Sequence, residues 1–381
     1  MKRRDFLAAA AASPVVLAAQ PAEDGFQSLF NGHSLHGWQI VDGPESAFYV
    51  DDGAIVASQS SQYPAWLRSD RSFENFDLRC EFYVRGWIDG AVYIHAPLHG
   101  RAAWTGTAVN VFHQQDEVPK PNSMGAIFPL IAPKLVNVKG GRGEWNTMRI
   151  LMDWPRLQVW TNDALIQDLD VEAYPELRYR FRQGYIGLSG LGYPIRFRNL
   201  HIRELPGKEQ WQDLYMEPSD FEKWFVSDSS EGAPARFQPL GSIIRAEGGG
   251  QLATAEKYRD FELQLYVRGP KEHNGGIFVR SLREGETTGT HYEIQIHNVE
   301  EAHYPTGSLY HHRRAIYPRI QDEEWYPMQV RLEGANCLVR VNGDTVLEYD
   351  GLENLEEGHI ELQAHRPGSW IEYKQIRIKR L

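Results

Sequence analysis

The stretch YRDFELQLYVRGPKEHNGGIFVR, residues 258–280, lies without a gap on FENFDLRCEFYVRGWIDGAVYIH, residues 73–95. Phe261 falls on Phe76, Leu263 on Leu78, and NGGIFVR on DGAVYIH. The match continues down the chain. TGTHYEIQ (288–295) falls on TGTAVNVF (105–112), EWYPMQV (324–330) on EWNTMRI (144–150), and SWIEYKQIRIKRL (369–381) on YPIRFRNLHIREL (193–205). NCLVRVNGD (336–344) matches RLQVWTND (156–163) with one insertion. A period this long is no solenoid repeat, which runs to roughly 20–50 residues, so a whole domain has been duplicated. The boundary falls at ELPGKEQ (204–210), polar and broken by Pro206 and Gly207. Within each copy the apolar runs are short, alternate with period two and are punctuated by Gly, Pro, Asn and Asp. That pattern predicts an all-β chain, each copy a jelly-roll-like sandwich of two antiparallel sheets. Only PSDFEKWF (218–225) reads as helical, and Val339, Val341 and then Asn342-Gly343 predict a strand entering a tight hairpin. The expected divisions are a leader over 1–22, a first sandwich over 23–205 and a second over 211–381.

The leader reading rests on MKRRDFLAAAAASPVVLAAQPA. Arg3 and Arg4 precede Phe6 and Leu7, and a short Ala/Val/Leu run ends in small residues at Ala18 and Ala19. This is the pattern of a twin-arginine export signal, which predicts a periplasmic or extracellular protein. No Cys follows the apolar run, and no run of apolar residues is long enough to cross a bilayer, so no membrane anchor is expected after processing. The formal charge is −11, and losing Lys2, Arg3, Arg4 and Asp5 with the leader takes it to about −13. Nucleic acid and anionic membranes need a basic footprint, so neither is an expected partner. Cys80 and Cys337 both sit in strand-like runs, which leaves a disulfide or two buried thiols open.

Two strands carry an unusual polar face. In HYEIQIHN (291–298), Glu293, Gln295 and His297 share one side of the strand, and Tyr292, Ile294 and Ile296 the other. IELQAHR (360–366) repeats the set as Glu361, Gln363 and His365. A solvated sheet face is the plain alternative, but the recurrence points to one shared site.

The blocks QDLYMEPSDFEKW, DFELQLYVRG, NGGIFVRS, HYEIQIHN, PTGSLY, RVNGD and LQAHRPGSWIEYKQIRIKRL resemble, in order and spacing, the 3-keto-disaccharide hydrolase domain. FQSLFNGHSLHGW, GRGEWNTMRI and YIGLSGLGYPIRFRNLHI carry the same skeleton in the first copy. The resemblance implies a concanavalin-like β-sandwich acting on oxidised glycosides, with a carbohydrate as partner. In such a substrate the C3 ketone acidifies the C2 proton. A base removes it, the aglycone leaves C1, and water adds back. The chemistry needs a base, an acid for the leaving oxygen and a donor facing the enolate oxygen. Glu293 is the expected base, His297 and His365 the candidate acids, and Arg280 the enolate contact. Gln295 and Gln363 suit sugar hydroxyls, Tyr310 and Trp370 offer rings for a pyranose, and Glu361 is a second carboxylate.

In the first copy, Asn110, Phe112 and Gln114 fall on the Glu293 strand, His95 replaces Arg280, and Ser189 falls on the Gln363 strand, so that copy reads as degenerate. Two other readings remain beside the leading one: a non-catalytic carbohydrate-binding protein, and a conventional glycosidase using Glu293 and Glu361. No organic cofactor is implied. A structural Ca²⁺, or a divalent metal ion at His297, His303, His311, His312 and Glu293, stays open.

Overall fold

The computed structural model describes residues 25–113, 118–138, 143–229, 232–282, 291–365 and 367–381; the expected leader and Gln114 lie outside them. Alternation decides the architecture. In each copy the inward-facing residues of two antiparallel sheets close on one core. The first is built around Phe76, Leu78, Phe82, Ile150 and Phe197, and the second around Phe261, Leu263, Val330, Ile294 and Leu362.

In the second copy the larger sheet runs Arg236–Leu240, Ile243–Glu247, Trp370–Arg380, Phe261–Arg268, Tyr326–Glu333, Asn336–Val341, Asp344–Tyr349, with Gln212–Tyr215 also pairing Trp370–Arg380. The smaller sheet has five strands: Trp224–Ser229, Gly250–Thr254, His359–Ala364, Asn274–Ser281 and Tyr292–His297. The first copy repeats the plan, and its smaller sheet is built around Gly184–Gly192, Ile88–Ala96 and Thr107–Phe112. The hairpin at Asn342-Gly343 forms as expected, both residues at positive φ. The helical reading of 218–225 holds for Pro218–Lys223, a 3₁₀ helix closed by a reciprocal capping box between Glu217 and Asp220. Trp224 and Phe225 instead open a strand, because Trp224 packs into the core.

Cys80 and Cys337 are buried free thiols in separate cores, and desolvation pushes each up to about 12. Among the described residues no helix is long and apolar enough to cross a membrane.

Candidate active site

The smaller sheet of the second copy collects the polar pattern. Tyr292–His297 and His359–Ala364 both pair antiparallel with the central strand Asn274–Ser281. They therefore run parallel to each other, and their matching residues align in ranks. Glu293 and Glu361 both lie opposite Phe278. Gln295 lies opposite Gly276, and the same register brings Gln363 level with it. His297 lies opposite Asn274, and His365 follows the last strand residue, exposed. Tyr292, Ile294 and Ile296 fill the core beneath.

Gly276 is what lets Glu293 lie down. A Cβ at that position would run into Glu293 Oε1 and stand 2.6 Å from its Cγ. The carboxyl thus covers the glycine, walled by Phe278, and loss of water pushes it up to about 7. Gln295, 4% exposed, donates through Nε2 to Asn274 Oδ1 at 2.6 Å. Gln363 Oε1 is buried and accepts no hydrogen bond among the described residues. The next strand adds Gln251, opposite Gln363.

The edge of the sheet carries aromatic rings. Tyr310 N donates to Glu293 O at 2.9 Å, and its neighbour Leu309 points into the core, so Tyr310 rises on the same face as Glu293. Tyr310 is 38% exposed and packs edge-on against Tyr304 and His311. His291 stands on the face too, its ring 4.9 Å from that of Phe278, and burial depresses its basicity. Neither His291 nor Tyr304 was singled out in the sequence. The same period of two reaches His291, whereas Tyr304 comes from a loop with no periodic signal.

Two expected residues are elsewhere. Arg280 is fully buried and takes φ +50 where the register shifts after Phe278. Its guanidinium binds Arg259 O, Asn354 O, Gly334 O and Asp260 Oδ1 at 2.8–3.1 Å. It ties loops together and has no part in this face. Trp370 belongs to the larger sheet, opposite Glu247, where the guanidinium of Arg245 lies 4.6 Å from its ring.

The first copy clarifies both points. His95 takes φ +51, with Nε2 2.6 Å from Glu74 O, at the repeat position of Arg280 and Arg259 O. The exchange of Arg280 for His95 is thus a change of anchor, not the loss of a site. Ala108, not Asn110, lies opposite Tyr93, the counterpart of Phe278, so the copies align two residues away from the match read in the sequence. Gln295 then corresponds to Asn110 and His297 to Phe112; the Glu–Gln–His set is still absent. Glu361 corresponds to Gly187, where a Cβ would stand 2.7 Å from the Trp66 ring. Trp66, Tyr93 and Tyr185 form a small apolar cluster there with Ala102, and Arg68 lies over Tyr185. Rings fill the space that the second copy leaves open.

Among the described residues no group of three or more His, Cys, Asp or Glu gathers as metal ligands. The family of 3-keto-alpha-glucoside-1,2-lyase-like domains matches residues 25–203 and again 210–379. The chain belongs to that family. It carries the family domain in tandem, and the family is carbohydrate-active and glycosyl-hydrolase-like. Solved structures similar to it include a provisionally assigned glycosyl hydrolase from Parabacteroides distasonis, with 18% identity, TM-score 0.42, and coverage of 48% of this chain and 95% of that one. A carbohydrate-binding module from Bacillus subtilis gives 13% identity and TM-score 0.30, covering 41% of this chain and 95% of that one. A β-1,3-1,4-glucanase from a mouse hindgut metagenome gives 14% and 0.34, covering 45% and 98%. No curated protein matches the chain.

Proposed function

We propose that this face cleaves 3-keto-glycosides by elimination, with water addition completing a net hydrolysis. The family match supports the substrate class. The observation that carries the reading is Glu293: a carboxyl desolvated over Gly276, titrating near neutrality, on a face of amides and rings. A base so tuned is half ionised where the enzyme works and takes a proton from carbon more readily than an ordinary carboxylate.

Glu293 removes the C2 proton, and the C–H electron pair becomes the C2=C3 enolate of the ketone. Those electrons return to form C1=C2 and expel the C1 oxygen, which leaves as an alcohol after protonation. Water then adds at C1 as a proton returns to C2. The amide N–H of Gln363, one rank from Glu293, replaces Arg280 as donor toward the enolate oxygen. The ranks move the acid role as well. His297 stands four residues up the strand from Glu293, about 13 Å, too far for one sugar bond. Tyr310 faces Glu293 across the ladder on the same face, and its hydroxyl takes over protonation of the leaving oxygen.

Glu293→Gln, assayed by release of nitrophenol from a 3-keto-glucoside, should lose ~10²–10⁴-fold in kcat. Undiminished turnover would remove Glu293 as base. One observation favours a second reading. Glu293 and Glu361 flank one strand on one face, so their backbones stand about 9.5 Å apart, near the spacing of inverting glycosidases. Turnover of unoxidised glucosides that Glu361→Gln abolishes would establish it. The twin-arginine pattern supports export, tested by whether replacing Arg3 and Arg4 with Lys retains the protein in the cytoplasm.

A further inference from the structure

A cavity of about 400 Å³ lies between the two copies. It sits on the outer face of the second copy's larger sheet, against Gln264, Tyr266 and Arg377, and the first copy closes it with Ser72, Gln183 and Tyr185. Glu293 stands on the outer face of the smaller sheet, on the opposite side of the sandwich, so the cavity and the candidate active site are separate. Its size falls within the range of small-ligand sites, ~300–1,000 Å³.

Two features of its wall are unusual for a simple seam. Arg377 donates to Gln264 Oε1 at 2.7 and 3.0 Å and to Gln183 Oε1 at 2.6 Å, with no carboxylate bonded to it among the described residues. Half-buried at the seam, the cation holds two amides in place, one from each copy. Beside it, Trp211 Nε1 is buried and donates to nothing among the described residues. That N–H has no accessible surface, so the indole meets the cavity through its carbon atoms, a surface suited to the C–H face of a sugar ring.

The lining also selects a ligand class. The Gln183 amide donates, the Glu74 and Asp213 carboxylates accept, and the hydroxyls of Ser72, Tyr185 and Tyr266 do both. A bound anion would face those carboxylates, and a bound cation would face Arg377. Vicinal hydroxyls of a sugar, each able to donate and accept, match a wall of both kinds. We propose that this cavity is a second binding site, for a neutral saccharide clasped by both copies. The proposal does not depend on catalysis at Glu293.

The test uses the full chain, titrated by calorimetry with maltose, cellobiose and sucrose, and with glucuronate as the anionic comparison. At least one neutral disaccharide should bind and slow amide exchange over residues 179–186 and 211–216. A Ser72→Ala, Tyr185→Phe double variant removes two hydroxyls from the lining and keeps the ring of residue 185. It should weaken that binding about tenfold or more, with an unchanged thermal midpoint. Ser72→Ala alone provides a second reading with little risk to folding. Glu293→Gln should bind at the seam as the wild type does. Failure of all three disaccharides, protection confined to 274–281 and 291–297, preference for glucuronate, or full affinity in the double variant would each overturn the proposal.

Discussion

Glu293 is the residue at which burial becomes chemistry. Its folded carboxyl titrates at about 7 against an ordinary 4.5 because desolvation disfavours the charged form. The folded state therefore holds a proton that the unfolded chain has released, and stability falls as pH rises from the unfolded value through the folded one. The gap between the two values makes the effect of order 3 kcal/mol. Glu293→Gln removes the titration. The variant should match the wild type below about pH 4.5 and be the more stable of the two above about pH 7, as thermal melts across that range would show. A constant gap at all pH values would mean that the carboxyl is not desolvated. In the wild type, kcat/KM on a 3-keto-glucoside should climb through about pH 7 as the base ionises, and a flat profile from about pH 5 to 8 would argue against it. Arg280 is the opposite case. Its four buried hydrogen bonds make it a scaffold residue, so Arg280→Ala should lose roughly 3 kcal/mol or more, while the folded fraction retains the wild-type kcat. Denaturant unfolding alongside active-site titration separates the two. Full stability with lost turnover would restore Arg280 to the site.

At the scale of strands, period two was legible and the exceptions were not. The rule that sends Glu293, Gln295 and His297 to one face needs only the strand, and two strands pairing with one neighbour bring both polar sets to the same surface. Arg280 escapes the rule because φ +50 and a register shift turn it inward after Phe278. No residue type announces that turn, since His95 makes the same one. Trp370 escapes because alternation gives a face but not the sheet to which a strand belongs. The two-residue offset comes from laying one TGT run on the other: Tyr93 to Ala108 and Phe278 to Glu293 are equally spaced, and an even slip preserves the face. The gap opposite Glu293 was also unreadable, because the NGG run has several uses and only the register puts Gly276 beneath the carboxyl. Gly276→Ala tests that placement. Its φ is ordinary, so folding should persist, while the new methyl displaces Glu293 from its seat. The thermal midpoint should change by only a few degrees and kcat should fall by tenfold or more. Wild-type kcat in Gly276→Ala would show that the carboxyl works from another position.

Across the whole molecule, duplication has left one copy open and the other filled, yet both are needed. The outer face of the second copy's larger sheet alternates Glu262, Gln264 and Tyr266 with core residues, and Gln329, Arg331, Arg340 and Lys374 stand on neighbouring strands. In sequence this is a solvated surface; in the fold the first copy covers it. Arg340 donates to Tyr179 O and Trp104 O of the first copy, Gln329 Nε2 also reaches Tyr179 O, and Tyr266 Oη accepts from Leu98 N. Arg101 returns the contact, bonding Asn342 Oδ1 through its backbone and Asp344 through its guanidinium. Lys374 Nζ meets His99 Nε2 at 2.6 Å, and burial beside Arg268 and Arg68 lowers the lysine to about 8. Groups buried this way are stable only while their partners are present. Residues 208–381 expressed alone would expose or orphan all of them, and the isolated copy should unfold at a lower temperature than the full chain. A protease site placed at Gly207 makes the sharper test, because the halves are then made and folded together. Once cut, they should co-elute on gel filtration and separate only in denaturant. Halves that drift apart after cleavage would mean that the linker, not the seam, holds the copies together.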